Sequence, residues 1–399
     1  MKFEFKRKVL KNGMTIVFEK RDVPVVSVAF AVRYGGINED VSEKGIAHFI
    51  EHMFYKGTAK RNSKQIAEEI ERKGGELNGF TSEVITAYWC KMPSKYLGVA
   101  LDVLGDMMKN PKFDEKELEK ERKVIFEEIK MYKDTPRLHV FNEIQKSMYD
   151  GTMGISLIGT YETMGKINRE KMVEKFKEIY TPNNLILCVI GDADFNEVVE
   201  FAEKNFGNEK NKIPVQKFNL KNESKIEKRK GIDQANLVLA YHVPLAKDKK
   251  SHAAKVLSCL MAEGMSSRLF SEIREKRNLA YAVKGDSVIT KDFAYNFIYV
   301  GTMKENVEQV KKLILEEFEK VAEGLGEKEL KEVKEQLIGN FHISMEDSQT
   351  QMTNLLFSEA EGNAKDFYDF EKKISEVKLE DVKDLANIKD YSFFALVPE

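Results

Sequence analysis

The chain has 399 residues, of which 42% are hydrophobic and 33% charged, and its 64 basic residues nearly balance 66 acidic ones. This composition predicts a soluble globular protein with two domains or more, and the net charge of −2 gives no support to nucleic-acid binding. The start MKFEFKRKVLKNG lacks the apolar segment of a signal peptide, and no run approaches the roughly 20 apolar residues that span a bilayer. We therefore expect a cytoplasmic protein that neither binds nucleic acid nor inserts into a membrane.

Residues 1–207 are predicted to form one domain that mixes strands and helices. Strands are predicted at 9–20, as two short strands around an Asn-Gly turn, and at 25–32, 86–92 and 183–192. Helices are predicted at 46–56, 63–73, 94–109 and 114–133, and from about 195 to 207.

The segment 208–231 is polar, rich in lysine and without helical period, which is typical of a surface linker between domains. Residues 232–399 then repeat the order of elements of the first half. Strands are predicted at 235–243 and 293–302, and helices at 253–264, at 266–276 and from 306 and 327. The sequence thus predicts an α+β protein of two similar halves related by internal duplication, each a mostly antiparallel sheet packed with helices.

The stretch GIAHFIEHMFYKGT, residues 45–58, places two of the chain's six histidines four residues apart. On a helix the apolar residues form one stripe and the polar residues share the other face: His48, Glu51, His52 and Tyr55. Two histidines one turn apart can bind one zinc ion, and catalytic zinc takes three protein ligands and an open position. Glu51 stands beside the second histidine, where its carboxylate can reach a zinc-bound water, and this is the arrangement of the inverted HxxEH zinc motif. The competing interpretation is an amphipathic helix whose histidines only cap or pair at the surface.

A third ligand has to come from elsewhere, and the long charged helix DEKELEKERKVIFEEIKMYKD offers one. Glu121 and Glu128 are seven residues apart and share one side of that helix. Val124 and Ile125 lie between them, which directs this side toward the interior in preference to Glu127. A carboxylate from this helix can therefore reach the metal.

Together these residues resemble the pitrilysin-type zinc peptidases, the family that includes insulin-degrading enzyme and the mitochondrial processing peptidase. In that family HxxEH is followed by a glutamate within a stretch similar to ERxVIxxE, and here Glu128 lies 76 residues after His52 within ERKVIFEE. The resemblance implies one zinc ion per chain, bound by His48, His52 and Glu128. It also implies that Glu51 is the catalytic base and Glu121 a supporting acidic residue.

Two further stretches extend the resemblance. SSRLFSEIREKRNLAYAV is similar to the family signature in which an arginine and a tyrosine contact the substrate, here Arg274 and Tyr281. By itself this stretch would be interpreted as a surface arginine and a core tyrosine. GGELNGFTSEVITAYW is similar to the edge strand to which the substrate peptide adds. The substrate-strand residues that it implies are Leu77, Asn78, Gly79, Phe80 and Thr81.

The resemblance implies a zinc-dependent endopeptidase that cleaves unfolded peptides or presequence-like segments inside a closed dimeric chamber. Because one chain carries both the zinc ligands and the arginine–tyrosine pair, a homodimer is the simpler expectation, with a heterodimer as the alternative. Two imidazoles, one carboxylate and an open position favour zinc over other divalent metals. The second functional class is a noncatalytic partner or scaffold subunit of the same fold.

Overall fold

The computed structural model describes residues 4–399. The strands are β1 (Glu4–Val9), β2 (Thr15–Lys20), β3 (Val25–Val32), β4 (Glu76–Thr81), β5 (Thr86–Pro93), β6 (Leu185–Gly191), β7 (Ser224–Arg229), β8 (Ala235–His242), β9 (Ala280–Ile289), β10 (Ala294–Thr302) and β11 (Ser392–Pro398).

The α-helices are α1 (Ile46–Phe54), α2 (Ser63–Glu71), α3 (Leu97–Lys109), α4 (Glu115–Asp134), α5 (Pro136–Met148), α6 (Tyr161–Lys166), α7 (Arg169–Ile179), α8 (Phe195–Asn205), α9 (Ser251–Ala262), α10 (Val307–Gly324), α11 (Glu327–Ser344), α12 (Ser348–Glu361), α13 (Phe370–Ser375) and α14 (Leu379–Ala386). The helix predicted at 266–276 is instead largely a π-helical turn, Phe270–Glu275. Among the described residues, none of these helices is both long and apolar enough to cross a membrane.

The first sheet contains β1 to β6 in the order β1-β2-β6-β3-β5-β4, and its neighbours are antiparallel except for β2 and β6. The central strands β3 and β6 are apolar along almost their whole length because helices cover both faces of the sheet. Both α3 and α12 contact β3. The hydroxyl oxygens of Ser27 on β3 and Ser348 on α12 lie 2.8 Å apart, and β4 is left at one edge of the sheet.

The second sheet has the order β7-β11-β8-β10-β9, and its neighbours are antiparallel except for β7 and β11. This is the order β2-β6-β3-β5-β4 of the first sheet, with the parallel pair in the same place and the same succession of strands along the chain. The predicted α+β fold of two duplicated halves is thus confirmed, and β9 is the counterpart of β4.

Contacts divide the chain into two compact units that are not continuous in sequence. Unit 1 comprises the residues up to Lys130, Ile155–Lys217 and Ser344–Phe367, and unit 2 comprises Met131–Gly154, Phe218–Ile343 and Tyr368–Glu399. Helix α12 therefore belongs to the unit of the first sheet although it is encoded in the second half of the sequence. Helix α5 belongs to the unit of the second sheet although it is encoded in the first half.

These units differ from the contiguous ranges 1–207 and 232–399 that composition predicts. The predicted linker 208–231 also contains β7, which pairs in parallel with β11. The sequence SKIEKR of β7 looks like a linker because an edge strand with mostly exposed side chains can be charged.

A buried carboxylate holds α12 in the first unit. The Glu359 side chain is 0% exposed and accepts hydrogen bonds from Arg7 Nε at 2.7 Å and Nη2 at 2.8 Å and from Arg33 Nη2 at 2.7 Å. The backbone N–H of Ala364 donates to the same carboxylate at 3.0 Å. Burial would raise the pKa of Glu359, but these donors hold it below its ordinary value. The carboxylate is therefore charged at neutral pH and pairs with arginines of the sheet.

Candidate metal centre

Helix α1 is arranged as its sequence predicts. The apolar stripe lies in the core with 0% of each residue exposed: Ile46, Phe49, Ile50 and Met53. Before the helix stands Gly45, whose φ of 95° and close approach to Gly159 require glycine. The opposite face of α1 carries His48, Glu51 and His52 toward α4 and β4. Burial of the stripe thus fixes where the two histidines point.

Three of the predicted residues, His48, His52 and Glu128, bring one ligand atom each within 4.8 Å of one another. The two Nε2 atoms of the histidines lie 3.2 Å apart, and Glu128 Oε2 lies 3.6 Å from His48 Nε2 and 3.7 Å from His52 Nε2. Bonds of about 2.0–2.1 Å to a tetrahedral zinc ion place ligand atoms about 3.3 Å apart. The three atoms therefore have the spacing of one face of a zinc tetrahedron.

Helix α4 supplies two carboxylates of this region, Glu121 and Glu128. Glu128 is half-buried and Glu121 is buried, whereas Glu127 is exposed, as the seven-residue spacing predicts. Ile125 is fully buried, but Val124 is 49% exposed, so only one of the two apolar residues between the glutamates faces the core.

The ring of His52 is oriented by Glu121. His52 Nδ1 lies 3.1 Å from Glu121 Oε2, and Lys56 Nζ lies 2.6 Å from Glu121 Oε1. Burial would raise the pKa of Glu121, but the hydrogen bonds from His52 and Lys56 hold it below its ordinary value. A charged carboxylate at Nδ1 favours the tautomer that leaves the Nε2 lone pair of His52 free for a metal.

The other two residues of the group have pKa values that suit a metal site in different ways. Burial, followed by the nearby His52, lowers the pKa of His48 to about 3, so its imidazole is neutral and able to coordinate at neutral pH. Burial raises the pKa of Glu128. Among the described residues, the two histidines at 3.6 and 3.7 Å are the basic side chains that pair with this half-buried carboxylate, so it fits the site of a cation, which would stabilise its charge.

Glu51 lies on the same face of α1 as the two histidines and contacts β4. Its Oε2 accepts a 2.6 Å hydrogen bond from the hydroxyl of Thr81. Burial raises the pKa of Glu51, and the charge of Glu128 acts in the same direction, although Thr81 and His52 oppose this shift. A glutamate with a raised pKa beside a metal-binding group is suited to accept and return a proton near neutral pH.

The strand β4 lies against this glutamate. A Cβ added at Gly79 would lie 2.5 Å from Tyr55 Oη and 3.3 Å from Glu51 Oε1, so only glycine fits between the strand and the helix. Strand β4 contains the predicted substrate-strand residues and pairs with β5 on its inner side. An edge strand offers backbone groups to an added extended peptide.

Arg274 and Tyr281 belong to unit 2. Arg274 lies in the π-helical turn, with its guanidinium 4.9 Å from the centre of the Phe270 ring. Tyr281 lies on β9 and is 46% exposed, so it is not the core tyrosine that composition alone would suggest. Its ring covers Gly301 on β10, where a Cβ would come within 2.2 Å of it. Their contact with a substrate remains a prediction.

Sequence reasoning missed the side chains that support α1 and Glu51. Thr81 was predicted only as part of a strand that pairs through its backbone, yet its hydroxyl bonds the predicted base. Glu39 and Lys44 are fully buried near the start of α1 and were not singled out. Little in the sequence indicated that Glu39 and Lys44 are buried, since a charged residue just before a helix is most often solvent-exposed.

Comparisons with known proteins agree with this geometry. Residues 15–161 match the family model described as insulinase (peptidase family M16), and residues 166–337 match the model described as peptidase M16 inactive domain. A Bacillus subtilis (strain 168) protein named uncharacterized zinc protease YmxG is 32% identical over 98% of this chain and 98% of its own length.

Two solved structures share the fold over almost the whole chain. The crystal structure of a protease from Helicobacter pylori gives a TM-score of 0.91 at 23% identity and covers 99% of this chain and 100% of that one. The structure titled peptidase M16 inactive domain from Pseudomonas fluorescens gives a TM-score of 0.89 at 18% identity, covering 99% and 98%. The two solved structures share the fold, and the Bacillus relative together with the two family models shows that the chain belongs to the insulinase family, peptidase family M16.

Proposed function

We propose that this protein is a zinc-dependent endopeptidase. The observation that carries the proposal is the triangle of ligand atoms from His48, His52 and Glu128, with Glu51 directed beside it toward the edge strand β4. The ligands present and their spacing fit one zinc ion per chain. The name of the Bacillus relative, a zinc protease, is consistent with this assignment.

In the proposed reaction the residues of the chain have separate tasks. When bound, zinc supplies Lewis acidity that polarises the scissile carbonyl and lowers the pKa of water. Glu51 accepts the proton of the attacking water and delivers it to the leaving amine, and Thr81 holds its carboxylate in place. Glu121 keeps the His52 ring in the coordinating orientation. No covalent intermediate with the protein is needed.

We also propose that the substrate is an unfolded peptide or a presequence-like segment bound as an added strand along Leu77–Thr81. Backbone pairing would select an extended chain with little dependence on its side chains. By the family resemblance, two chains would form a closed chamber. Arg274 and Tyr281 of one chain would then contact the substrate at the site of the other, with Tyr281 donating to the developing oxyanion.

The alternative is a noncatalytic partner or scaffold subunit. It is favoured by the match of residues 166–337 to a model described as an inactive domain and by the Pseudomonas structure with the same description. A scaffold does not need a ligand triangle or a base. The presence of both in unit 1 supports the peptidase.

The test is cleavage of a mixed set of unstructured peptides by the purified chain, with products identified by mass. We expect cleavage that chelation abolishes and that Glu51→Gln abolishes while zinc remains bound. Glu128→Gln should lose zinc, whereas the matched variant Glu127→Gln on the exposed side of α4 should retain both zinc and activity. A chain that binds zinc and cleaves nothing would instead support the heterodimer or the scaffold.

A further inference from the structure

A buried lysine lies at the start of the helix that carries the two histidines. Lys44 is 0% exposed, and its Nζ donates to the backbone oxygen of Gly36 at 2.8 Å. The same atom lies 3.4 Å from Glu83 Oε2 and 3.7 Å from Glu39 Oε2. Since an isolated buried ammonium is strongly unfavourable, these two carboxylates have to be regarded as its counter-charges.

The first carboxylate fixes the end of the helix. Glu39 is 0% exposed and accepts hydrogen bonds from the backbone N–H groups of Gly45 at 3.0 Å and Ala47 at 2.7 Å. These groups belong to the beginning of α1, where the helix has unpaired donors and a positive dipole end. Burial raises the pKa of Glu39 to about 7, against the opposing effects of Lys44 and these two donors. Through these two hydrogen bonds Glu39 caps the beginning of α1, and Ala47, one of its two donors, is the residue before His48.

The second carboxylate belongs to the turn that follows β4. Glu83 lies in the tight 82–85 connection between β4 and β5, two residues after Thr81. This turn is also held by backbone hydrogen bonds from Gly36 N to Ser82 O at 3.0 Å and from Ile37 N to Glu83 O at 2.9 Å. Lys44 thus joins the beginning of α1 to the end of β4.

The same two elements meet again at the candidate site. Glu51 on α1 accepts its 2.6 Å hydrogen bond from Thr81, the last residue of β4. The relative position of α1 and β4 decides whether this contact forms. We propose that Lys44, through Glu39 and Glu83, is a positioning residue that sets the Glu51–Thr81 contact and so aligns the base with the substrate strand. This inference rests on the proposed peptidase function.

A double-mutant cycle tests this coupling. Glu83→Gln is the better first variant because Glu83 is 16% exposed, whereas replacing Lys44 would leave the buried Glu39 carboxylate without its cation. We expect Glu83→Gln and Thr81→Val each to lower kcat about tenfold, since small misplacements of catalytic groups cost this much or more. KM and bound zinc should change little. The double variant should be no worse than the stronger single variant, because both substitutions act on one contact.

A second measurement does not depend on activity. Amide hydrogen exchange of the peptides covering 45–54 and 80–86 should become faster in Glu83→Gln. The matched control is Lys171→Met, which removes a 3.4 Å ion pair to Glu43, the residue before Lys44, and leaves the 2.7 Å pair of Glu43 with Lys175 in place. This control should leave exchange in both segments and kcat unchanged.

The outcomes are distinguishable. Fully additive losses of about a hundredfold in the double variant would overturn the coupling, and so would unchanged exchange in Glu83→Gln. Equal exchange increases in the Lys171→Met control would also overturn it, because they would show a general loss of stability. A wild-type chain that cleaves no peptide would refute the peptidase instead, while the exchange experiment would still decide whether Lys44 links α1 to β4.

Discussion

The strongest effect on stability is predicted for the carboxylate that holds α12 in the unit of the first sheet. Glu359→Gln keeps the shape of the side chain but removes the charge that pairs with Arg7 and Arg33, whose side chains are only 29% and 28% exposed. Removing one partner of a buried ion pair costs about 3–5 kcal/mol because the remaining charge is left uncompensated. We expect a loss of this size in the free energy of unfolding of the transition that includes unit 1.

The stabilisation by Glu359 should decrease as the pH falls. The pKa of Glu359 is lowered in the folded protein, so its contribution is fully present above the ordinary glutamate pKa of about 4.3 and is lost as the pH falls below that value. This contribution is measured as the free energy of unfolding in urea, at pH 7 and at a series of lower pH values. The difference between wild type and Glu359→Gln should be largest at pH 7 and should shrink below about pH 4.3.

The control is an exposed ion pair made by Lys8, which follows Arg7 on β1. Glu203 lies 3.2 Å from Lys8, with 54% and 44% of the two side chains exposed, so Glu203→Gln should cost only about 0–1 kcal/mol. If Glu359→Gln were as stable as this control, or if its deficit did not shrink in acid, the assignment of α12 as an ion-paired part of the first unit would be refuted.

Three further predictions concern the metal, the substrate strand and the units. Glu121→Gln should weaken zinc binding about 10- to 100-fold in competition with a chromophoric chelator, because it removes the charge that orients His52; unchanged affinity would contradict that role. Gly79→Ala should lower kcat/KM while zinc stays bound, since the new methyl group displaces β4 from Glu51; wild-type kinetics would show that the strand tolerates it. A fragment of 1–207 should not fold alone, because it lacks α12, and a cooperative unfolding transition of that fragment would disprove this.

The sequence was most informative where function depends on local spacing. The four-residue interval between His48 and His52 places both on one helix face, and the seven-residue interval between Glu121 and Glu128 does the same on α4. The apolar stripe of α1 indicates which face is buried. These are properties of a single helix, so a pattern of side chains suffices to predict them.

Contacts between distant segments were not predictable in the same way. The linker prediction for 208–231 included β7 because the charged sequence of an edge strand resembles a loop. The fully buried Lys44 was not predicted because its burial depends on Glu39 and Glu83, which come from other segments of the chain. The hydroxyl of Thr81 can donate its hydrogen bond to Glu51 only when β4 lies beside α1.

The sequence by itself therefore determined the α+β halves and indicated a group of residues able to bind a metal, from which the proposed chemistry follows. Helical periodicity is local, and the choice of ligand types follows from the chemistry of imidazole and carboxylate groups. Only the tertiary structure decided that α5 and α12 pack in the unit opposite to their half of the sequence, and that a buried lysine connects α1 with β4. Such contacts join segments that are far apart in sequence. An ion pair or the apolar face of a helix is stabilised only when its partner lies next to it in the folded chain, and local sequence patterns do not identify that partner.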